Sequence, residues 1–332
     1  MKNHRFCLWL PFLIFAACST DGALQQILGR NVEPPVFMEC RPVSPREIVF
    51  KFTTPVKVVT LFFDTDLEVE SVGEGSEILV CFSESPGEGV KITADILVED
   101  ADRNSLNVIV PFRSRNDRMP ALVFNELRTE YSKPKVEFVE FLVPESGNLG
   151  AMRLFIAGHS LVKPAYEFPP AEVKAGEYIV LHLRTVEDGC VDETGEDLSL
   201  SGGTEAQTNA RDFWLPGTAK MLRKTDALWL MDQDDRIIDA VLLSEASGPE
   251  WSSDKIAEAA EFLAIKKAWL PASGENTGAL VPSDALISSG TTNTRTICRD
   301  ESIPPKPRAA NWYITATSSA TPGKPNSTKR YN

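Results

Sequence analysis

Carboxylates standing inside apolar runs are the residues of this chain best placed to do chemistry. Glu126 follows Asn125 in Ala121-Leu122-Val123-Phe124-Asn125-Glu126-Leu127, and Glu140 lies in Glu137-Phe138-Val139-Glu140-Phe141. Strand alternation puts Glu126 on the face of Leu122 and Phe124, and Glu140 on the face of Phe138 and Leu142. Two such carboxylates could serve as the acid and base of a hydrolase, as in glycoside cleavage. They could equally be structural acids that accept backbone N–H bonds or pair with Arg128 or Arg153, since a buried carboxylate must be matched or it takes up a proton. The structural role is the expectation and the chain is read as no enzyme; a hydrolase using Glu126 and Glu140 is the alternative.

A second acidic feature crowds six carboxylates between Glu187 and Asp197. Asp188, Asp192, Glu193, Glu196 and Asp197 are the candidate calcium ligands, with Gly189 and Gly195 for tight turns. Their spacing departs from the EF-hand order D-x-[DN]-x-[DN]-G, so a solvated loop without metal is expected. The three histidines, His4, His159 and His182, sit in no metal-binding or triad pattern. No G-x-S-x-G elbow, phosphate-binding glycine loop or H-E-x-x-H occurs, and no cofactor is expected. Phe213-Trp214 could stack on a sugar, but large aromatics usually anchor packing, and core burial is the expectation. Lys220, Arg223 and Lys224 read as an exposed strand face.

The start of the chain reads as a targeting segment. Lys2, His4 and Arg5 precede an apolar run from Phe6 to Phe15, and Ala16-Ala17-Cys18 supplies small residues for cleavage. The run is interrupted by Pro11 and is shorter than the roughly 20 residues a bilayer needs. Residues 1–17 are therefore expected to be a signal peptide. Phe15-Ala16-Ala17-Cys18 resembles a bacterial lipobox, which implies acylation of Cys18 and a polar tether over 18–33. Cys40, Cys81, Cys190 and Cys298 then remain, an even number that permits two disulfides in an oxidising compartment. Pairing within domains gives Cys40–Cys81 and Cys190–Cys298; buried thiols are the other reading.

These residues must be positioned by a chain of 332 residues, for which two domains are the natural expectation. With 42% hydrophobic and 24% charged residues, a full core is available and wholesale disorder is excluded. The formal charge is −13, and loss of Lys2 and Arg5 with residues 1–17 takes it two lower, to −15. So acidic a surface repels nucleic-acid phosphates and anionic lipid headgroups. The expected partner is a protein or polysaccharide of the cell envelope, with the membrane reached through the lipid and no nucleic acid.

From Pro34 to Arg115 short alternating runs recur: Glu47–Phe52, Val56–Phe63 after a break at Thr53-Thr54-Pro55, Leu67–Val72, Ile78–Phe82, Val90–Val98 and Leu106–Phe112. Strands at this spacing argue a sandwich. The segments SPREIVFKFTTPV and VKITADILVEDADRNSLNVIVPF resemble bacterial Ig-like surface domains. Residues 116–120 read as a linker. Beyond it, LVFNELRTE, KVEFVEFLV, AGEYIVLHL, TDALWLMDQDDRIIDAVLL and SATPGKPN follow in the order of the lamin-tail domain, which this part of the chain resembles. The resemblance implies an Ig-like sandwich over 121–328, with insertions at 187–212 and 249–289. The second carries a helix over Ser252–Leu270, where Ile256, Ala259, Ala260 and Leu263 recur at helical spacing before Pro271. The expected fold is all-β, with two Ig-like β-sandwich domains and one inserted helix. The expected function is that of a lipid-anchored envelope scaffold or protein-binding module, facing periplasm or cell surface.

Overall fold

The computed structural model describes residue 29 and residues 31–273, 279–304 and 306–331. The expected signal peptide and Cys18 lie outside the described residues. The chain is all-β and divides into two compact units.

Of the described residues, the first unit comprises those up to 41, 48–82 and 93–111. Its strands are β1 (Phe37–Ser44), β2 (Glu47–Phe63), β3 (Val69–Val72), β4 (Gly75–Phe82), β5 (Lys91–Asp100) and β6 (Ser105–Arg113). They hydrogen-bond in the order β3-β4-β2-β5-β6, with β1 also on β2. Alternation fills the core: Ile48, Phe50 and Phe52 of β2, Ile78, Val80 and Phe82 of β4, and Ala94, Ile96 and Val98 of β5 are all buried. The expected break at Thr53-Thr54-Pro55 does not occur, and β2 runs through it for 17 residues. Pro55 stands at an exposed position of the strand. The irregularity falls instead between Val58 and Thr60, where the register with β5 shifts. The β5–β6 turn is tied by one carboxylate: Asp100 Oδ1 accepts the amides of Asp102 at 2.9 Å and Asn104 at 2.8 Å.

The second unit comprises 42–47, 83–92 and the described residues from Phe112 onward. One of its sheets orders β14 (Arg211–Trp214), β13 (Tyr178–His182), β8 (Phe138–Glu145), β7 (Ala121–Arg128), β18 (Ile297–Arg299) and β19 (Trp312–Ile314). The other orders β11 (Tyr166–Glu167), β10 (Arg153–Ile156), β15 (Asp226–Met231), β16 (Ile237–Ser244) and β17 (Leu286–Ile287). A two-stranded ribbon joins β9 (Gly147–Asn148) to β12 (Glu172–Val173). One apolar cluster lies between the sheets, with Phe124, Phe141 and Leu181 from the first and Leu228, Leu230 and Leu242 from the second. The β15–β16 turn needs a left-handed residue, and Asp235 supplies it at φ +60°.

The helix α1 (Asp254–Ile265) starts as expected, with the Ser253 hydroxyl accepting the amide of Ile256. It buries Ile256, Ala259, Ala260, Leu263 and Ala264 and packs against β15, with Phe262 5.6 Å from Trp229. Because β15 is central in its sheet, α1 covers a sheet face rather than an edge. That is why all six residues of β15 are buried. The helix ends before Pro271 is reached. Lys267 turns left-handed at φ +56°, and the amides of Lys267 and Ala268 return to Ala264 and Leu263.

Two further expectations are corrected. Residues 116–120 are no loose linker: the buried Asn116 amide group donates to the carbonyls of Asn148 and Gly150, both at 2.8 Å, and Gln233 bonds the Asn116 backbone in both directions. Residues 220–224 are no strand. They form a loop that plugs Met221 and Leu222 into the core and leaves Lys220 and Arg223 outside.

Candidate functional site

The acids of β7 and β8 are placed by a local irregularity. Phe124 pairs with Phe141 and Glu126 with Glu140, with a register shift between the two pairs at Asn125. A bulge moves later side chains to the other face. Phe124 and Leu122 therefore point into the core, while Glu126 does not share their face, contrary to simple alternation. Glu140 keeps the face of Phe138 as expected, and Phe138 belongs to a small separate cluster with Val180 and Ala210.

Strand registers assemble one row across the whole sheet. Asp212 faces Val180, Val180 faces Glu140, Glu140 faces Glu126, Glu126 faces Cys298, and Cys298 faces Tyr313. Two carboxylates directly opposite each other repel unless donors intervene. The donors come from the C-terminal segment 321–326, which lies over the row as a strap. Glu126 accepts the Thr321 amide at 3.0 and 3.2 Å and its hydroxyl at 3.1 Å. Glu140 accepts the Gly323 amide at 2.5 Å and the Asn125 side-chain amide at 2.8 Å. The Asn326 side chain then donates to Asn125 Oδ1 at 2.9 Å and to the Arg299 carbonyl at 3.0 Å.

Burial pushes the Glu126 carboxyl above its usual range. It pushes Glu140 well above, with the neighbouring Glu126 charge adding to the effect. The Cys298 thiol is raised by burial and then by the Glu126 charge. Neither glutamate pairs with the arginines suggested by sequence: Arg128 pairs with Glu205 and Arg153 with Asp235. Glu137 is also buried and is matched by Arg184.

A family profile described as a protein second domain matches residues 120–314, the strands from β7 to β19. The chain belongs to this family. A relative in Treponema pallidum (strain Nichols), described as an uncharacterized protein, is 31% identical over 214 residues, 60% of this chain and 54% of the relative. The chain thus spans about half the length of that relative. No solved structure matches. The family region ends just short of the strap, whereas the acids the strap caps lie inside it.

Several of the remaining candidate residues of the family region are used as fold contacts, while Asp188 and Glu196 stand exposed. In the acidic loop, Asp192 accepts the Trp214 amide at 2.7 Å and the Tyr166 hydroxyl at 2.7 Å. Glu193 is fully buried and takes the amides of Ser201 and Asp212 on its two oxygens. Asp197 caps Ser199, and among the described residues no three such ligands converge on one point. Phe213 packs against Phe168, and Trp214 stacks on His182 with ring centroids 3.8 Å apart. His182 in turn meets Asp212 at 2.8 Å, with both side chains buried.

Among the described residues the expected disulfides Cys40–Cys81 and Cys190–Cys298 are not formed. Strand geometry explains the second pair. Cys298 is turned into the carboxylate row under the strap, while Cys190 sits beside Gly203 and Trp214. Burial pushes the Cys40 thiol up to about 12.

Sequence reasoning missed Asp226 and Asp239. Asp226 accepts the amides of Gly158 at 2.7 Å and Ala227 at 2.9 Å. Asp239 accepts the Phe124 amide at 2.8 Å and pairs with Arg299, whose Nε donates to the Phe124 carbonyl at 2.6 Å. An acid side chain and a guanidinium thus satisfy the backbone of Phe124, which lies beyond the two pairs that β18 makes with β7. A lone acid within or heading an apolar run was the available signal, in Asp226-Ala227-Leu228-Trp229 and Ile238-Asp239-Ala240-Val241.

Proposed function

We propose that this chain is a non-catalytic, lipid-anchored protein of the cell envelope, and that residues 121–328 form a lamin-tail-like sandwich acting as a scaffold or protein-binding module. The observation that carries this reading is the use of Glu126 and Glu140. Their oxygens are taken up by the Thr321 and Gly323 amides and the Asn125 side chain under a strap, and both side chains are buried, which supports a structural use of the pair. The five segments that resemble the lamin tail correspond in order to β7, β8, β13, the β15–β16 hairpin and the strap. The inserted segments 187–212 and 249–289 are the contact surfaces in this reading, because sandwiches bind through loops and edges. The partner is a protein or polysaccharide of the envelope.

Two measurements test this. Palmitate labelling in the native cell type is expected to tag the chain at Cys18, and absence of label removes the anchor. Crosslinking mass spectrometry on intact cells is expected to join residues of 187–212 or 249–289 to an envelope component. A hydrolase screen in which activity appears and is lost in Glu140→Gln would replace the scaffold by the enzyme.

A further inference from the structure

A cleft of about 410 Å³ opens between the β15–β16 turn and the end of α1, away from the carboxylate row. Its floor is apolar, from Val123, Ile237 and Ile238, and its rim carries Arg236, Lys266, Lys267 and Lys306. Two acids also line it, and both are already matched: Asp235 by Arg153 and Asp239 by Arg299. Asp234 at the same turn is held by Arg115 at 3.1 Å. Among the described residues, none of the four rim cations is in an ion pair. Four cations outside any ion pair, of which only Arg236 feels a nearby acid in Asp234, therefore line one concave surface of a chain whose net charge is −13.

The helix end accounts for part of this, since cations near a C-terminus are favoured by a few tenths of a kcal/mol. It does not account for Lys267, which occupies the left-handed position where glycine carries no steric cost. Nor does it account for Arg236 and Lys306, which come from other segments.

We propose that this cleft binds a phosphate-bearing ligand, with the phosphate held by Arg236, Lys266, Lys267 and Lys306 and a sugar or acyl-glycerol portion resting on Val123, Ile237 and Ile238. A carboxylate would leave most of the rim charge unmatched, whereas a phosphate monoester carries about −1.5 to −2 near neutrality. Lysine ammonium groups recognise phosphate as point charges and the arginine adds a forked donor. The volume is within the ordinary range of small-ligand sites. Free phosphorylated metabolites and phospholipid headgroups share this chemistry. The site is independent of the scaffold reading, since it uses neither the strap nor the anchor.

The test is calorimetric titration of the full chain with pyrophosphate and with glucose 6-phosphate, beside the triple variant Lys266→Ala/Lys267→Gly/Lys306→Ala. Loss of three partly exposed charges is expected to weaken binding at least about tenfold, and added salt is expected to weaken it in the parent. Lys267→Gly alone keeps the fold by relieving the left-handed lysine, so weaker binding in that variant is not explained by unfolding. Sedimentation of a Cys18→Ser chain, which no acyl chain can hold on a bilayer, with phosphatidylcholine vesicles, with and without phosphatidylglycerol, separates the sources. Capture only by the anionic vesicles, competed by pyrophosphate, assigns a lipid headgroup; phosphate binding without capture assigns a soluble ligand. The proposal is overturned if the parent binds neither phosphate nor anionic vesicles, if the triple variant binds as well as the parent, or if an oligoglutamate peptide binds and phosphate does not.

Discussion

Glu140 Oε2 accepts the amide hydrogen of Gly323 at 2.5 Å, closing a contact across 183 positions of sequence. Beside it, Glu126 holds Thr321 from the opposite strand. The two acids act as one clamp, and each tolerates the other because the strap presents donors to both. Repulsion and burial that would otherwise oppose the pair become the reason the C-terminal segment must close.

Removing one jaw should loosen the strap before it unfolds the sandwich. Glu126→Ala leaves the Thr321 amide without its acceptor, a loss of about 1–3 kcal/mol, and Asn326→Ala should act in the same direction. Urea unfolding measures the loss, and hydrogen exchange at 321–326 should quicken first. Unchanged exchange there would refute the clamp.

Asp226 is expected to make stability depend on pH. Burial pushes its carboxyl up to about 6 from an ordinary 3.8, against the amides of Gly158, Ala227 and Arg223, which act to lower it. Because the folded value lies above the unfolded one, the fold binds the proton more tightly. Stability therefore falls as pH rises from about 4 to 6, by about 3 kcal/mol in total. Glu126, Glu140 and Asp239 are raised too and act in the same sense. The quantity to measure is thus the difference between the parent and Asp226→Asn in denaturant midpoints across that window. A flat difference would remove the role given to Asp226.

Gly147 admits no side chain. A Cβ there would stand 2.6 Å from Pro120 N and 2.8 Å from Met119 C, and closer still to the Arg118 carbonyl oxygen. All three are backbone atoms that cannot swing aside. Gly147→Ala is expected to cost at least about 3 kcal/mol or to abolish folding, read as soluble yield and thermal midpoint. A variant as stable as the parent would show that 118–120 is not pinned to β9.

The thiols should differ in access. Native alkylation with iodoacetamide is expected to label the half-buried Cys190 and to spare Cys298 until denaturant is added. Equal mass with and without reductant, apart from added label, is the accompanying expectation. A mass loss consistent with a Cys190–Cys298 bridge would overturn the arrangement of β18.

Much of the architecture can be read from local pattern. Alternation marks β4, β5, β7, β8 and the β15–β16 hairpin, and a 3.6-residue period marks α1, because each pattern needs only a segment's own residues and a buried side. The placement of Phe213 and Trp214 inside was readable for a different reason, since large aromatics anchor packing. The helix end at Lys267 and the passage of β2 through Pro55 were not, since each depends on what neighbouring segments offer the backbone.

By itself the sequence determined that this chain is all-β, acidic, helix-bearing at one insertion, and furnished with carboxylates in apolar runs. Those are consequences of composition and periodicity, which act over a few residues. Only the tertiary structure decided what the carboxylates do. A bulge of one residue at Asn125 turned Glu126 off the core face, and a segment nearly two hundred residues away supplied its donors. Hydrogen-bond partners drawn from distant loops leave no periodic trace, because a donor's position in space is set by the whole sheet rather than by its neighbours in the chain.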